Sequence, residues 1–257
     1  EEHFFKGKVC LDAGCGVTCR AVLSMLHYET AKVFGLDLHE PAQIVERMAG
    51  FGERFVYTQG SVLGLPYENG YFDFVHCDGT LNALGDKKEF EKAFAELARV
   101  VKSGGKLFIG SLVGKGGVLT EITDFLREKY HNDRSFKELV DNLSYEQIAE
   151  KVDWIVKSIK SNGMDDNCNF REWFDHDMVL TIKDRLQAPH YLRFDYDEVA
   201  GLFNKYGYCN LKRLSRFPVY KNARKYLAPM YHDYSDTLAQ FLYGSGQIQI
   251  IAEKKGD

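Results

Sequence analysis

Val9-Cys10-Leu11-Asp12-Ala13-Gly14-Cys15-Gly16-Val17-Thr18 decides how this chain folds. Residues 8–11 read as a short buried strand, apolar and followed at once by a glycine turn. Asp12 closes the strand, Gly14 and Gly16 bracket Cys15, and helical spacing begins near Thr18. A glycine loop between a strand and a helix lets a ligand approach the backbone with no Cβ in the way. A tight turn without a ligand has the same outline, so the residues around the loop have to decide between them.

The acid is the discriminating residue. A dinucleotide fingerprint, G-x-G-x-x-G, needs a third glycine for close helix–strand packing and sets a pyrophosphate on the helix N-terminus. Here that third position is Cys19. A carboxylate at Asp12 would repel a pyrophosphate but suits a ligand with an ammonium or sulfonium charge. The reading therefore favours S-adenosylmethionine (SAM) over NAD. Asp12-Ala13-Gly14-Cys15-Gly16 resembles D-x-G-x-G, the first motif of the class I SAM-dependent methyltransferases.

Further along, strands and helices alternate. Ala31 to Leu36 reads as a second buried strand ending at Asp37, a little over twenty residues past Gly14. An acid in that place of a βαβ unit can accept hydrogen bonds from both ribose hydroxyls. Pro41 opens a helix to about Gly50, with Pro in a favoured first-turn position. Strands follow at Arg54–Thr58 and Tyr71–Asp78. A helix over Lys87–Val101 carries Phe90, Phe94, Leu97 and Val101 on one stripe. Ser103-Gly104-Gly105 then turns into a fifth strand, Lys106–Leu112. Such alternation predicts a parallel sheet with helices on both faces.

The family resemblance extends over residues 8–112. Gln59 to Tyr67, Tyr71 to Gly79 and Val100 to Gly110 are similar to later methyltransferase motifs, in family order and spacing. It implies an α/β fold: a doubly wound, Rossmann-like, mostly parallel seven-stranded sheet with an antiparallel last strand and an inserted helical cap. It implies SAM as cofactor, held by Asp12, Gly14, Cys15 and Gly16 in the loop and by Asp37 and Leu38 after the second strand. Ser61 and Val62 would lie beside adenine, and Cys77 and Asp78 at the end of the fourth strand. Two positions depart from the pattern: Ser61 stands where the family usually has an acid, and Thr18 where many members have glycine.

Residues 113–190 break the rhythm. After Gly114-Lys115-Gly116-Gly117, helical patterns cover Val118–Tyr130, Tyr145–Ile159 and Asn169–Leu186, with polar joints at 131–135 and 161–167. The segment is too long for a plain connection, so it reads as a cap inserted into the α/β core. It resembles the lid of small-molecule methyltransferases; its alternative use is as a dimerisation arm, giving a homodimer, or as a stabilising appendage. The expected organisation is a first part of the core over 1–112, the cap over 113–190 and completion of the core over 191–257. Within the last part, Asp195 begins a helix ending at Gly207, Tyr208–Phe217 alternates as a strand, and Gln247–Glu253 forms the final strand.

Composition narrows the partners. The 257 residues are 45% hydrophobic, with net charge -4 and a pI of about 6.1. Overall attraction to nucleic acid or an anionic membrane is not indicated. No run has the length of a transmembrane helix and no leader pattern is visible, so the expectation is a cytoplasmic protein. Cys10, Cys15, Cys19, Cys77, Cys168 and Cys209 include no C-x-x-C pair. They read as reduced thiols with no metal.

Methyl transfer is an in-line displacement, so the main work is to position the nucleophile and exclude water. A hydroxyl nucleophile also needs a base. His76, Asp78 and Asn82 flank the fourth strand's end, but the His that many relatives carry is missing from Leu81-Asn82-Ala83, so no base carries over there. In the cap, Trp173, Phe174, Asp175, His176, His190, Tyr191 and Arg193 form the densest mix of aromatic and titratable side chains. His176, His190 and Tyr191 are the candidate catalytic residues, facing a small-molecule acceptor. Lys212, Arg213, Arg216, Lys221, Arg224 and Lys225 read as a solvated basic face or an anion-binding one. Three rivals stand beside a small-molecule methyltransferase. A nucleotide-dependent oxidoreductase is opposed by Asp12 and Cys19. An RNA methyltransferase is opposed by the acidic balance. A non-catalytic SAM-fold binding protein is opposed by the intact Asp12 and Asp37.

Overall fold

The apolar run around Cys10 and Leu11 becomes the middle of a sheet. A computed structural model of the chain describes residues 4–162, 183, 186–188, 190–214 and 237–256. They divide into two compact units. One draws on 1–114, 190–214 and 247–257; the other on 115–189 and 215–246, the latter stretch lying within the part assigned above to the core.

The first unit is a sheet in the order β3-β2-β1-β4-β5-β8-β7. Its strands are β1 (Val9–Ala13), β2 (Lys32–Asp37), β3 (Phe55–Gln59), β4 (Phe72–Asp78), β5 (Val101–Gly114), β7 (Tyr208–Arg213) and β8 (Gln247–Lys254). An eighth strand, the two-residue β6 (Arg193–Phe194), pairs with the end of β5 off that path. Pairing is parallel from β3 through β5, and β8 runs antiparallel to both β5 and β7. Asp12 stands level with Gly35 on one side and His76 on the other.

Alternation along the strands sends successive side chains to opposite faces. Leu11 and Ala13 join a cluster with Phe90, Phe94 and Leu97 of α3 (Lys87–Val100) and Val199 and Phe203 of α7 (Tyr196–Lys205). Cys10 joins the opposite cluster, with Val22, Met25 and Leu26 of α1 (Arg20–His27) and Ile44 and Met48 of α2 (Pro41–Met48). Phe90, Phe94 and Leu97 of the stripe predicted for α3 are buried, whereas Val101, expected on the same helix, opens β5. At its start Asp86 accepts from the Glu89 N–H at 2.8 Å, supplying a partner that a helix's first turn otherwise lacks. α1 begins differently: Cys19, at the fingerprint's third-glycine position, holds a left-handed φ of 49° and is fully buried.

The described elements of the second unit are α4 (Val118–Asn132), α5 (Arg134–Asp141), α6 (Tyr145–Ser161) and α8 (Thr237–Tyr243). Tyr130, Val140 and Leu186 form a small core there. The joint at 131–135 is shorter than its polarity implied. Asp133 accepts from the Phe136 N–H at 3.0 Å and so starts a helix where a loop was expected. Among the described residues no helix is long and apolar enough to cross a membrane.

Candidate cofactor cleft

Parallel strands leave a crevice beyond their C-terminal ends where neighbouring crossovers diverge. β1 and β2 end there, and the backbone ties their loops together. The N–H groups of Gly14 and Cys15 donate to the Leu36 carbonyl at 2.7 and 3.1 Å. The Gly16 N–H donates to Asp37 Oδ2 at 2.7 Å. Gly14 has φ +86°, and a Cβ there would lie 1.9 Å from Thr80 Oγ1, so both the conformation and the space demand glycine.

Asp37 is fixed from its other side by His39, whose N–H donates to Oδ1 at 3.2 Å and whose ring bonds the same oxygen. Burial pushes the Asp37 pKa up, but hydrogen bonds from His39 and the Gly16 N–H outweigh it and hold the carboxyl below its ordinary value. The Tyr57 hydroxyl donates to the His39 carbonyl at 2.6 Å. Burial, with the anionic groups nearby, pushes Tyr57 up to about 12, so it stays a neutral donor.

Gly14, Asp37, Leu38, Ser61 and Val62 come together around one cavity of about 210 Å³, with Leu36, Gly60, Gly79, Thr80, Ala83 and Leu84. That volume is below the roughly 300–1,000 Å³ of pockets that enclose a drug-sized ligand, so the cleft takes part of such a molecule. Its chemistry fits a nucleoside. An ionised carboxylate stands at one end for hydroxyl donors, and small residues keep the wall low. Leu38, 72% exposed, offers an apolar rim that a flat ring would cover.

The remaining sequence candidates sit elsewhere. Asp12 is 3% exposed and absent from the cleft lining. Its Oδ1 is hydrogen-bonded to His76 Nδ1 at 2.8 Å, and the His76 ring stacks on Phe108 at 4.8 Å and 9°. Cys15 and Cys77 turn into the two apolar clusters, and burial pushes both thiols far up. Gly16 contributes its N–H to Asp37. Asp78 ends β4 opposite Gly110. His190 is exposed and Tyr191 half-buried in the segment leading to β6, where the Arg193 guanidinium lies 4.9 Å from the Tyr191 ring. Asp175, His176, Trp173 and Phe174 fall outside the described residues, as do Cys168 and most of the basic run. Sequence reasoning missed His39 and Thr80. A backbone N–H two positions after an Asp is a usual partner for its side chain, a signal that could have found His39. Thr80 had none.

A doubly wound sheet with an acid-bearing cleft at the ends of β1 and β2 has the architecture of the nucleotide-binding α/β folds. Residues 11–109 match the model of a methyltransferase domain. The chain is 30% identical over 195 residues to a sterol 24-C-methyltransferase of Gibberella zeae, covering 74% of this chain and 46% of that protein. It is 29% identical over 154 residues to norajmaline N-methyltransferase of Rauvolfia serpentina, covering 58% and 50%. The chain thus spans about half the length of the curated relatives it matches. Among solved structures, Burkholderia thailandensis 1,6-didemethyltoxoflavin-N1-methyltransferase, with 1,6-didemethyltoxoflavin and S-adenosylhomocysteine bound, is similar at a TM-score of 0.52 and 15% identity, covering 98% of this chain and 73% of that one. A SAM-dependent methyltransferase from Methanosarcina mazei gives 0.52 and 13%, covering 98% and 94%. At these identities the solved structures speak to the fold alone. Over residues 11–109 the chain thus carries a methyltransferase domain, as the resemblance to the SAM-dependent methyltransferases implied.

Proposed function

We propose that the protein transfers a methyl group from SAM to an O, N or C atom of a small-molecule acceptor. The observation that carries this reading is the convergence of Gly14, Asp37, Leu38, Ser61 and Val62 on one cleft. When bound, SAM supplies a methyl group on positively charged sulfur, already activated for displacement. In this reading Asp37 accepts from the ribose hydroxyls, and Leu38 and Val62 flank the base. The Gly14–Gly16 loop admits the rest of the cofactor close to the backbone. His176, His190 and Tyr191 are the residues proposed to act on the acceptor. The curated relatives are named for methylating an alkaloid nitrogen and a sterol carbon, which supports a small acceptor and leaves the accepting atom open.

The test is incubation of the protein with methyl-labelled SAM and an extract of the source cells, followed by identification of the labelled product. Label in a small molecule is the expected result; label in RNA or protein overturns the acceptor class. Binding of S-adenosylhomocysteine with no transfer favours a non-catalytic binding protein. His176→Ala and His190→Ala should lower transfer and leave cofactor affinity nearly unchanged.

A further inference from the structure

β4 stops at Asp78, paired with Gly110 of β5. β5 runs on to Gly114, and β6 takes up the pairing only from Val113. Asn82 fills the gap, 5% exposed, within a 3₁₀ turn over Leu81–Ala83. Its Nδ2 donates to the Ser111 carbonyl at 2.6 Å, and its Oδ1 accepts from the Val113 N–H at 3.2 Å. These are the two groups flanking Leu112 that a residue on a parallel neighbouring strand would engage. A side-chain amide has the donor and acceptor of a peptide unit, so Asn82 takes the place of a missing strand residue. Its backbone carbonyl also accepts from the Leu192 N–H at 2.8 Å. One residue therefore joins three segments: the cleft wall at 79–84, the end of β5, and the approach to β6 that carries His190 and Tyr191.

Ser111 registers the constraint. Its φ is +53°, and the pairing of β5 with β8 shifts register between Ile109 and Leu112. Gln247 Nε2 donates to Ser111 Oγ at 2.9 Å. A non-glycine residue keeps a left-handed backbone where its surroundings fix it. The amide of Asn82 on the Ser111 carbonyl is one such fixing contact.

We propose that Asn82 is a positioning residue for methyl transfer: through its paired bonds to Ser111 and Val113 and its bond to Leu192, it sets the acceptor-facing segment against the cofactor cleft. A side-chain amide is not basic enough to take a proton near neutral pH, so Asn82 does not replace the missing base; it places the groups around the acceptor. The inference rests on reading the cleft as the SAM site and 190–191 as acceptor-facing.

Asn82→Leu keeps the side chain's size and removes both bonds. The full chain is assayed for S-adenosylhomocysteine affinity by calorimetry. Transfer is assayed from saturating methyl-labelled SAM into the small-molecule fraction of source-cell extract, over a dilution series that separates maximal rate from apparent KM. Affinity should stay within about threefold, while maximal rate over apparent KM falls by about tenfold or more. Adding Ser111→Gly should restore part of the loss, since glycine keeps the left-handed turn without the amide's hold. If the leucine variant does not fold, Asn82→Ser takes its place. A folded variant with wild-type transfer, or one losing affinity and transfer in equal measure, overturns the proposal. Wild-type protein that binds no S-adenosylhomocysteine overturns the cofactor reading itself. Wild-type protein that binds it but transfers no label overturns the acceptor reading, and this proposal with it.

Discussion

Asp12 and His76 stand level on adjacent parallel strands and share a 2.8 Å hydrogen bond between Oδ1 and Nδ1. The acid that pointed to SAM in the sequence is thus paired from within the sheet, beside the loop rather than in the cleft. His76→Ala would leave a buried carboxylate short of a partner. The cost should be about 1–3 kcal/mol, the range for an unsatisfied buried polar group. Urea unfolding at neutral pH measures it; an unchanged midpoint would show the pair contributes nothing to stability.

Asp37→Ala should weaken S-adenosylhomocysteine binding by about 1–3 kcal/mol, the scale of lost charge-assisted hydrogen bonds. The Gly16 N–H loses its acceptor in the same variant, so loop order and ribose contact fall together. Calorimetry beside a circular dichroism melt separates affinity from folding. Equal affinity in variant and wild type would make Asp37 a loop anchor alone.

Two loop glycines should differ. Both have positive φ, but a Cβ on Gly16 meets open space whereas one on Gly14 overlaps Thr80. Gly16→Ala should cost about 1–2 kcal/mol for its left-handed backbone, and Gly14→Ala distinctly more. Thermal denaturation of the two variants decides the order.

Acid should unfold the protein partly through Asp73. Burial pushes its pKa up, but the Val9 N–H at 2.9 Å and Lys102 at 3.1 Å outweigh that and hold it below its ordinary value. A depressed folded pKa gives stability that is present above the unfolded value and lost as pH falls through the folded one. Wild-type stability should therefore drop between about pH 5 and pH 2, and Asp73→Asn should flatten that limb. A parallel pair of curves would exclude Asp73 from the acid response.

Thiol reactivity should follow burial. Desolvation pushes Cys10 up to about 12 and Cys15 and Cys77 further, so little thiolate forms at pH 8. Cys209 is only half-buried. Alkylation of the folded protein, read by peptide mass spectrometry, should mark Cys209 well before those three. Early modification of Cys15 would show the glycine loop opening in solution.

Where chain-local signals were strong, sequence and structure agree. Apolar runs punctuated by Asp12, Asp37 and Asp78 gave β1, β2 and β4 to within a residue or two, because strand ends are marked by neighbours in the chain. The His76 partner of Asp12 was not legible, since it lies 64 residues away and only the sheet register brings the two together. β6 was missed because two residues carry no periodicity. Asn82 could be placed near the strand's end, but its ladder-like bonding depends on β5 outrunning β4. Asp37 and Ser61 of the cleft were readable from loop position, whereas Thr80 was not. Whether a cysteine faces the cleft or the core was not, since a glycine loop has no alternating pattern.

The strand lying between β5 and β7 comes after both in sequence. While the chain is being synthesised, β5 and β7 therefore each wait with an open edge until residues 247–254 have emerged. Side-by-side closure of that half of the sheet is a late event with long loops to close. Exposed strand edges invite pairing with other chains. The interval before β8 docks is thus when the nascent protein has most need of a chaperone, and a fragment ending at Gly246 should associate rather than stay dispersed.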